Sequence, residues 1–372
     1  MTQPLFLGND IYRGSTFGRA HPLAIPRVPT VMDLSRALGW LGPGNYRTSP
    51  RLRPAGLTAF HTPEYVAALQ AAEASQSVSE EVRQRHGLGT LSNPIYPEMF
   101  RRPATGAGGA LLAAELVAAG HTVYHPGGGT HHGMPDRANG FCYFNDPVLA
   151  ILALRRRGLS RIAYVDIDAH HCDGVEAAFA EDPEVLLVST HEEGRWPFTG
   201  ALSDRGAGNV FNLPLPRDLN DDEFALALDQ VILPAVAAHR PQVVVLQCGA
   251  DAVEEDPLSR LALSNNAHWA TVRALAALAP RFLVLGGGGY NPWSVGRLWT
   301  GVWATMNGFE IPEHLPPEAQ AVLRALSWTR RAGRTPPPNW FDTLRDAPRT
   351  GAIRDSVRSR TAQLAGRLKV QV

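Results

Sequence analysis

Four apolar runs constrain this chain more than anything else in it: "RIAYVDID" (161–168), "VLLVST" (185–190), "QVVVLQC" (242–248) and "RFLVLGG" (281–287). They are dense in Val, Leu and Ile, with no regular apolar/polar alternation. Strands of that kind are buried on both faces, which is the signature of a parallel sheet. Helical stretches lie between them, at 109–120, 145–158, 173–181, 222–239, 265–279 and 292–306, and "HTVYH" (121–125) adds a shorter strand. Asn145 or Asp146 is placed to cap the second helix, with Pro147 in its first turn. Strand–helix alternation predicts an α/β sheet with helices on both faces. The first hundred residues are rich in Pro and Gly; they are expected to supply surface loops plus one or two helices. The segment 310–372 is basic, contains "RTPPPNW", and reads as an extended arm against the domain or a neighbouring subunit.

In such sheets ligands bind beyond the carboxyl ends of the strands. Three polar clusters fall there. Asp166, Asp168, His170, His171 and Asp173 follow one strand; Gly249, Ala250 and Asp251 follow another; "GGGGY", Gly286 to Tyr290, follows a third. Burying that much charge is costly unless it is paired or bound to a cation. Asp168 and His170 share one side of an extended segment. With Asp251 they offer three ligands and leave a position open, as a catalytic zinc requires; the oxygen-rich set also suits Fe²⁺, Co²⁺ or Mn²⁺. A fourth cluster, "GGGTHHGMPDRANGFCYFND" (127–146), brings the adjacent His131 and His132. Paired imidazoles work as base and acid when each is held by a partner, and Asp166 and Asp173 are the natural partners. Tyr290, after four glycines, is placed to aim its phenol at a developing oxyanion. Any of these pieces alone could be a loop, a turn or a helix cap; four of them at one sheet edge point to chemistry.

Bulk numbers exclude other classes. With 35 basic and 35 acidic residues there is no overall charge to draw nucleic acid or an acidic membrane. No apolar run approaches the length of a membrane span, and no signal peptide is evident in "MTQPLFLGND". The three cysteines, Cys142, Cys172 and Cys248, are too few and scattered for a disulfide framework. A cytoplasmic protein is expected. Cys172, between His171 and Asp173, is the one thiol whose surroundings suggest reactivity. The "GGGG" run does not read as a dinucleotide fingerprint, because it follows a late strand without an acidic ribose partner.

These motifs, with "VVVLQCGADAVEEDPL" and "LVLGGGGYNPWSVGRLWT", resemble the zinc-dependent histone deacetylases of the arginase/deacetylase superfamily. The bacterial acetoin-utilisation deacetylases look most similar, with acetylpolyamine amidohydrolases as cousins. The resemblance implies a single domain over about 1–310, with a central parallel sheet of about eight strands, and 311–372 as an extension. It implies Zn²⁺ on Asp168, His170 and Asp251. His131 would pair with Asp166, and His132 with Asp173 as principal base and acid; Tyr290 would face the oxyanion. Gly140, Phe141 and Gly288 would line the substrate channel, with Trp196, or else Phe198, as the opposite wall. A structural K⁺ would use Asp166, Asp168, the His170 backbone, Ser189 and Thr190, and a second monovalent site would lie at Phe179 and Val185. Arg27 would line an internal channel for acetate. The implied substrate is acetyl-lysine in protein or a small N-acetylated amine, and a homo-oligomer is a further expectation. An arginase-like ureohydrolase is the alternative hydrolase, and a catalytically dead binding module the alternative of another class. The chain departs from the family at Gly133, at Cys172, and at the rim near Thr90–Asn93, where "TLSN" offers no carboxylate to gather a peptide backbone.

Overall fold

The computed structural model describes residues 3–370 except Thr16, Arg19 and Ala20. Eight strands form one sheet: β1 (Leu5–Gly8), β2 (Tyr46–Thr48), β3 (Val123–His125), β4 (Ile162–Asp166), β5 (Val185–Glu192), β6 (Val210–Leu215), β7 (Val243–Gln247) and β8 (Phe282–Leu285). Their order is β2-β1-β3-β8-β7-β4-β5-β6, and every neighbouring pair is parallel. Alternate residues of each strand enter different cores. Val165, Val188, Val244, Leu246 and Val284 face one side; Ile162, Tyr164, Leu187, Val243, Val245 and Leu283 face the other. Each fully buried Val or Leu contributes about 1.5–3 kcal/mol, so both faces must be covered. The helices Arg101–Ala118 and Asp146–Arg156 cover the second face through Ala113, Val117, Ile151 and Leu154. Arg27–Ala37, Asn265–Ala276 and Pro292–Asn307 cover the first through Val31, Trp269, Trp299 and Val302.

The strands read from two-sided burial all form. The cap of the second helix resolves to Asn145, whose side chain accepts from Val148 N at 3.1 Å. The first helix starts earlier than expected, at Arg101, and the one over 222–239 contains a π turn at Leu228–Ile232. The larger differences lie at the sheet edges. The first hundred residues are more ordered than expected: they contribute β1, β2 and the helices Arg27–Ala37, Pro63–Ser75 and Glu80–His86. The strand β6 was not anticipated; it is an edge strand and carries Pro214, which an edge tolerates because one ladder donor is dispensable there.

Residues 311–370 form the helices Pro317–Arg324 and Asp355–Val370 with connecting loops. Leu315, Leu323, Trp340, Leu344, Val357 and Leu364 are buried in the same cluster as the first face of the sheet. Arg297 and Asp346 form a buried ion pair at 2.7 Å between the helix Pro292–Asn307 and this segment. No helix among the described residues is long and apolar enough to cross a membrane.

The parallel register sets one row of residues across the sheet. Asp166 is level with Ser189 on one side and Gln247 on the other; Gln247 is level with Leu285, and Leu285 with His125. Every polar cluster of the sequence begins within a few residues of this row.

Candidate active site

Just past the row, β4 delivers Asp168 and His170, and β7 delivers Asp251. Their ligand atoms all lie within 4.8 Å of one another, and this is the one group of three or more metal-capable side chains found among the described residues. The donors are held individually. Asp168 Oδ2 accepts from Gly288 N at 2.7 Å and from Gln247 Nε2 at 2.9 Å. Asp251 Oδ1 accepts from Ala169 N at 2.9 Å. His170 Nδ1 lies 2.9 Å from Asp251 Oδ2 and 3.2 Å from Asp168 Oδ1. Burial opposes charge on all three. Against that desolvation the two carboxylates hold His170 at about 10. Burial also opposes charge on Asp168, yet His131 and His170 keep it well below the carboxylate range. Burial and Asp168 raise Asp251. Two carboxylates and an imidazole that gather a proton this tightly form a donor set suited to a divalent cation, which competes for the same lone pairs.

The twin histidines come from the loop after β3. His131 Nδ1 lies 2.7 Å from Asp166 Oδ2, which also accepts from Tyr164 Oη at 2.6 Å. His132 Nδ1 lies 2.6 Å from Asp173 Oδ1, and Asn139 Nδ2 holds the other oxygen at 3.0 Å. The rings are 4.0 Å apart, yet they titrate oppositely. Burial would lower His131, but Asp166 and Asp168 outweigh it and hold it at about 9. Burial and the charge of His131 push His132 down to about 4, despite Asp173. Carboxylates and burial thus push the two neighbouring imidazoles in opposite directions.

A cavity of about 420 Å³ opens over this floor, lined at its base by His132, His170, Gly140, Phe141 and Tyr290. Burial raises the Tyr290 phenol well above its ordinary range, so it stays a donor. Tyr290 N is held by Asp256 Oδ2 at 2.7 Å. Phe141 forms one wall, 5.8 Å from the Tyr290 ring, and Trp196 the other, edge-on to His132 at 4.6 Å. Phe198 also lines the cavity but is 74 % exposed. Gly140 has a φ of 51°, and a Cβ there would lie 2.1 Å from Trp196. A Cβ on Gly288 would lie 2.1 Å from Asp251 Oδ2.

The other expected residues are placed as follows. Ser189 and Thr190 are buried beside Asp166, with Thr190 Oγ1 3.4 Å from Asp166 O. The carbonyls of Phe179 and Val185, with that of Asp182, converge on the Asn209 side-chain amide at 2.8–3.0 Å. Arg27 donates to Gly287 O at 2.5 Å and lines small cavities of about 30 and 50 Å³ behind the floor. Cys172 is buried and burial raises its thiol well above its usual range, so it is not a reactive thiolate. In the "TLSN" stretch, Asn93 Oδ1 is already engaged by Phe141 N at 3.0 Å, so it positions a wall. Sequence reading missed Gln247, Asn139 and Asp256, which hold Asp168, Asp173 and Tyr290. Gln247 left a signal, a lone amide closing the run "VVVL".

Known proteins resemble this chain over most of its length. The family model for the histone deacetylase domain matches residues 21–306. The acetoin utilization protein AcuC of Bacillus subtilis is 32 % identical over 356 residues, covering 92 % of this chain and 90 % of that protein. Histone deacetylase HDAC1 of Drosophila melanogaster is 34 % identical over 81 % of this chain, which spans 59 % of that longer protein. Among solved structures, a histone deacetylase homologue complexed with SAHA superposes with a TM-score of 0.94 at 34 % identity, covering 98 % of this chain and all of that one. The homologue from Aquifex aeolicus gives a TM-score of 0.92 at 32 % identity. The chain belongs to the histone deacetylase family and is a deacetylase-type hydrolase related to the acetoin utilization proteins.

Proposed function

We propose that this protein is a zinc-dependent deacetylase that hydrolyses an N-acetyl amide, in acetyl-lysine or a small N-acetylated amine, to acetate and free amine. The observation that carries the reading is one cavity floor that combines the Asp168–His170–Asp251 donor set, a phenol and an imidazole with a free nitrogen. Asp168, His170 and Asp251 would hold the metal, which when bound supplies polarisation of the amide carbonyl and acidity to the attacking water.

The chain's own groups then account for proton and charge. Asp173 engages His132 Nδ1, so Nε2 is the nitrogen that takes the proton of the attacking water and returns it to the leaving amine. Tyr290 donates to the oxygen that gains charge. His131, held by Asp166, lies beside the same centre. Phe141 and Trp196 clasp the linear part of the substrate and exclude water; Gly140 and Gly288 let backbone approach it. The small cavities at Arg27 give acetate a path behind the floor.

A potassium ion is proposed beside the floor, on Asp166, Asp168, the His170 backbone, Ser189 and Thr190. A second monovalent cation is proposed at Phe179 and Val185, whose carbonyls converge with that of Asp182 beside Asn209. The three cysteines are free and buried, which fits a reducing cytoplasm. We assign 1–310 as the catalytic unit and 311–372 as an extension that buttresses it.

The test is acetate release from an acetyl-lysine peptide, free Nε-acetyl-lysine and acetylated polyamines. Release should stop on chelation, return with Zn²⁺ and collapse in Tyr290→Phe. No release from any of them with metal bound stoichiometrically would overturn the reading.

A further inference from the structure

The mouth of the cavity carries an ionic arrangement that hydrolysis does not use. Glu192, at the end of β5, is the one carboxylate among the described residues that line the cavity, and its side chain is 1 % exposed. Its oxygens are fully engaged. Arg195 binds it through Nε and through Nη2 at 3.0 Å, and Arg260 N donates at 2.7 Å. Arg217 Nε approaches at 3.5 Å. Arg195 also donates Nη1 to Leu258 O at 2.7 Å, so that guanidinium is tied down. Arg217 is not: its side chain is 71 % exposed and lines the same cavity. Its backbone is anchored from behind by Arg354 Nη1, which donates to Arg217 O at 2.7 Å. Two guanidiniums share one carboxylate, so the acidic and basic side chains that line the cavity carry one positive charge in excess, and Arg217 is the exposed one.

We propose that Arg217, backed by Arg195, is an anion subsite that selects acetamides carrying a carboxylate at the far end of the chain and disfavours those ending in an ammonium. The proposal rests on the deacetylase reading and narrows its substrate class. An exposed guanidinium favours an opposite charge only modestly and repels a like one by a similar amount, so the contrast between the two ends is the quantity to measure. It favours ω-acetamido carboxylates and acetyl-lysines in acidic surroundings over acetylated polyamines.

Three acetamides of matched length separate the possibilities: 6-acetamidohexanoate, N-hexylacetamide and N-acetylcadaverine, ending in carboxylate, methyl and ammonium. At low salt kcat/KM should fall in that order, with about a tenfold span from first to last. The span should shrink in 0.5 M salt. Arg217→Lys should keep the order, Arg217→Gln should bring the carboxylate-to-ammonium ratio close to one, and Arg217→Glu should invert it. A flat order in the native enzyme, or an order indifferent to Arg217→Glu, overturns the subsite while leaving the deacetylase reading intact. No acetate from any of the three overturns the subsite, and the deacetylase reading falls with it only if the acetyl-lysine peptide also releases none.

Discussion

The floor and the mouth of the cavity are made from different materials. At the floor Asp168 and Asp251 are at most 1 % exposed, hang from adjacent parallel strands, and are each held by backbone donors or a buried amide. At the mouth Trp196 is 37 % and Phe198 74 % exposed, and both, with Arg217, ride on loops after β5 and β6. The floor has one geometry because strand register imposes it; the mouth has only its local contacts. Reaction chemistry therefore belongs to the sheet, and substrate choice to the loops.

The sharpest way to break this contrast is at a donor. Asp168→Ala should remove stoichiometric metal, measured by elemental analysis, and lower acetate release by about 10³-fold or more, since Lewis-acid and water activation are lost together. Retained metal and activity would show that the floor does not depend on this carboxylate. Next, Tyr290→Phe should keep metal content and cost about 10²–10³-fold in kcat, as for loss of one oxyanion donor; a change confined to KM would assign the phenol to binding. Third, Gln247→Ala removes the amide that orients Asp168 without touching substrate. Metal affinity, read by chelator competition, should weaken about 10–100-fold, and unchanged affinity would mean Gly288 N suffices. Smallest, Trp196→Ala at the mouth should alter kcat/KM by less than about tenfold, mostly through KM. A large fall in kcat instead would tie this wall to the chemistry through its contact with His132, and would erase the distinction between the two regions.

The same division decided what could be read from sequence. The strands β4, β5, β7 and β8 declare themselves because both faces are buried, which forces continuous Val, Leu and Ile. The strands β1, β2 and β6 do not: four, three and six residues long, they lack that run or, in β6, interrupt it with Asn212 and Pro214. Asp166, Asp168, His170 and Asp251 stand out because charge at the end of an apolar strand is physically expensive. Asn139 and Asp256 were silent, because one amide or one carboxylate in a loop is ordinary. Glu192 and Arg217 were silent for another reason: they lie 25 positions apart in the chain, and only the pairing of β5 with β6 brings them together. The "TLSN" stretch offers no rim carboxylate, and the structure spends Asn93 on holding Phe141.

The row running from His125 through Leu285, Gln247 and Asp166 to Ser189 also says which length changes this lineage can accept. Because the strands are parallel, each donor arrives by its own crossover, and residues added to a crossover need not disturb the row. One residue added inside β4 would shift Asp168 and His170 by about 3.3 Å and exchange the faces of the strand. Insertions and deletions among relatives should therefore accumulate between the strands and stay out of them, leaving the spacing of the floor as the most slowly drifting dimension of the molecule.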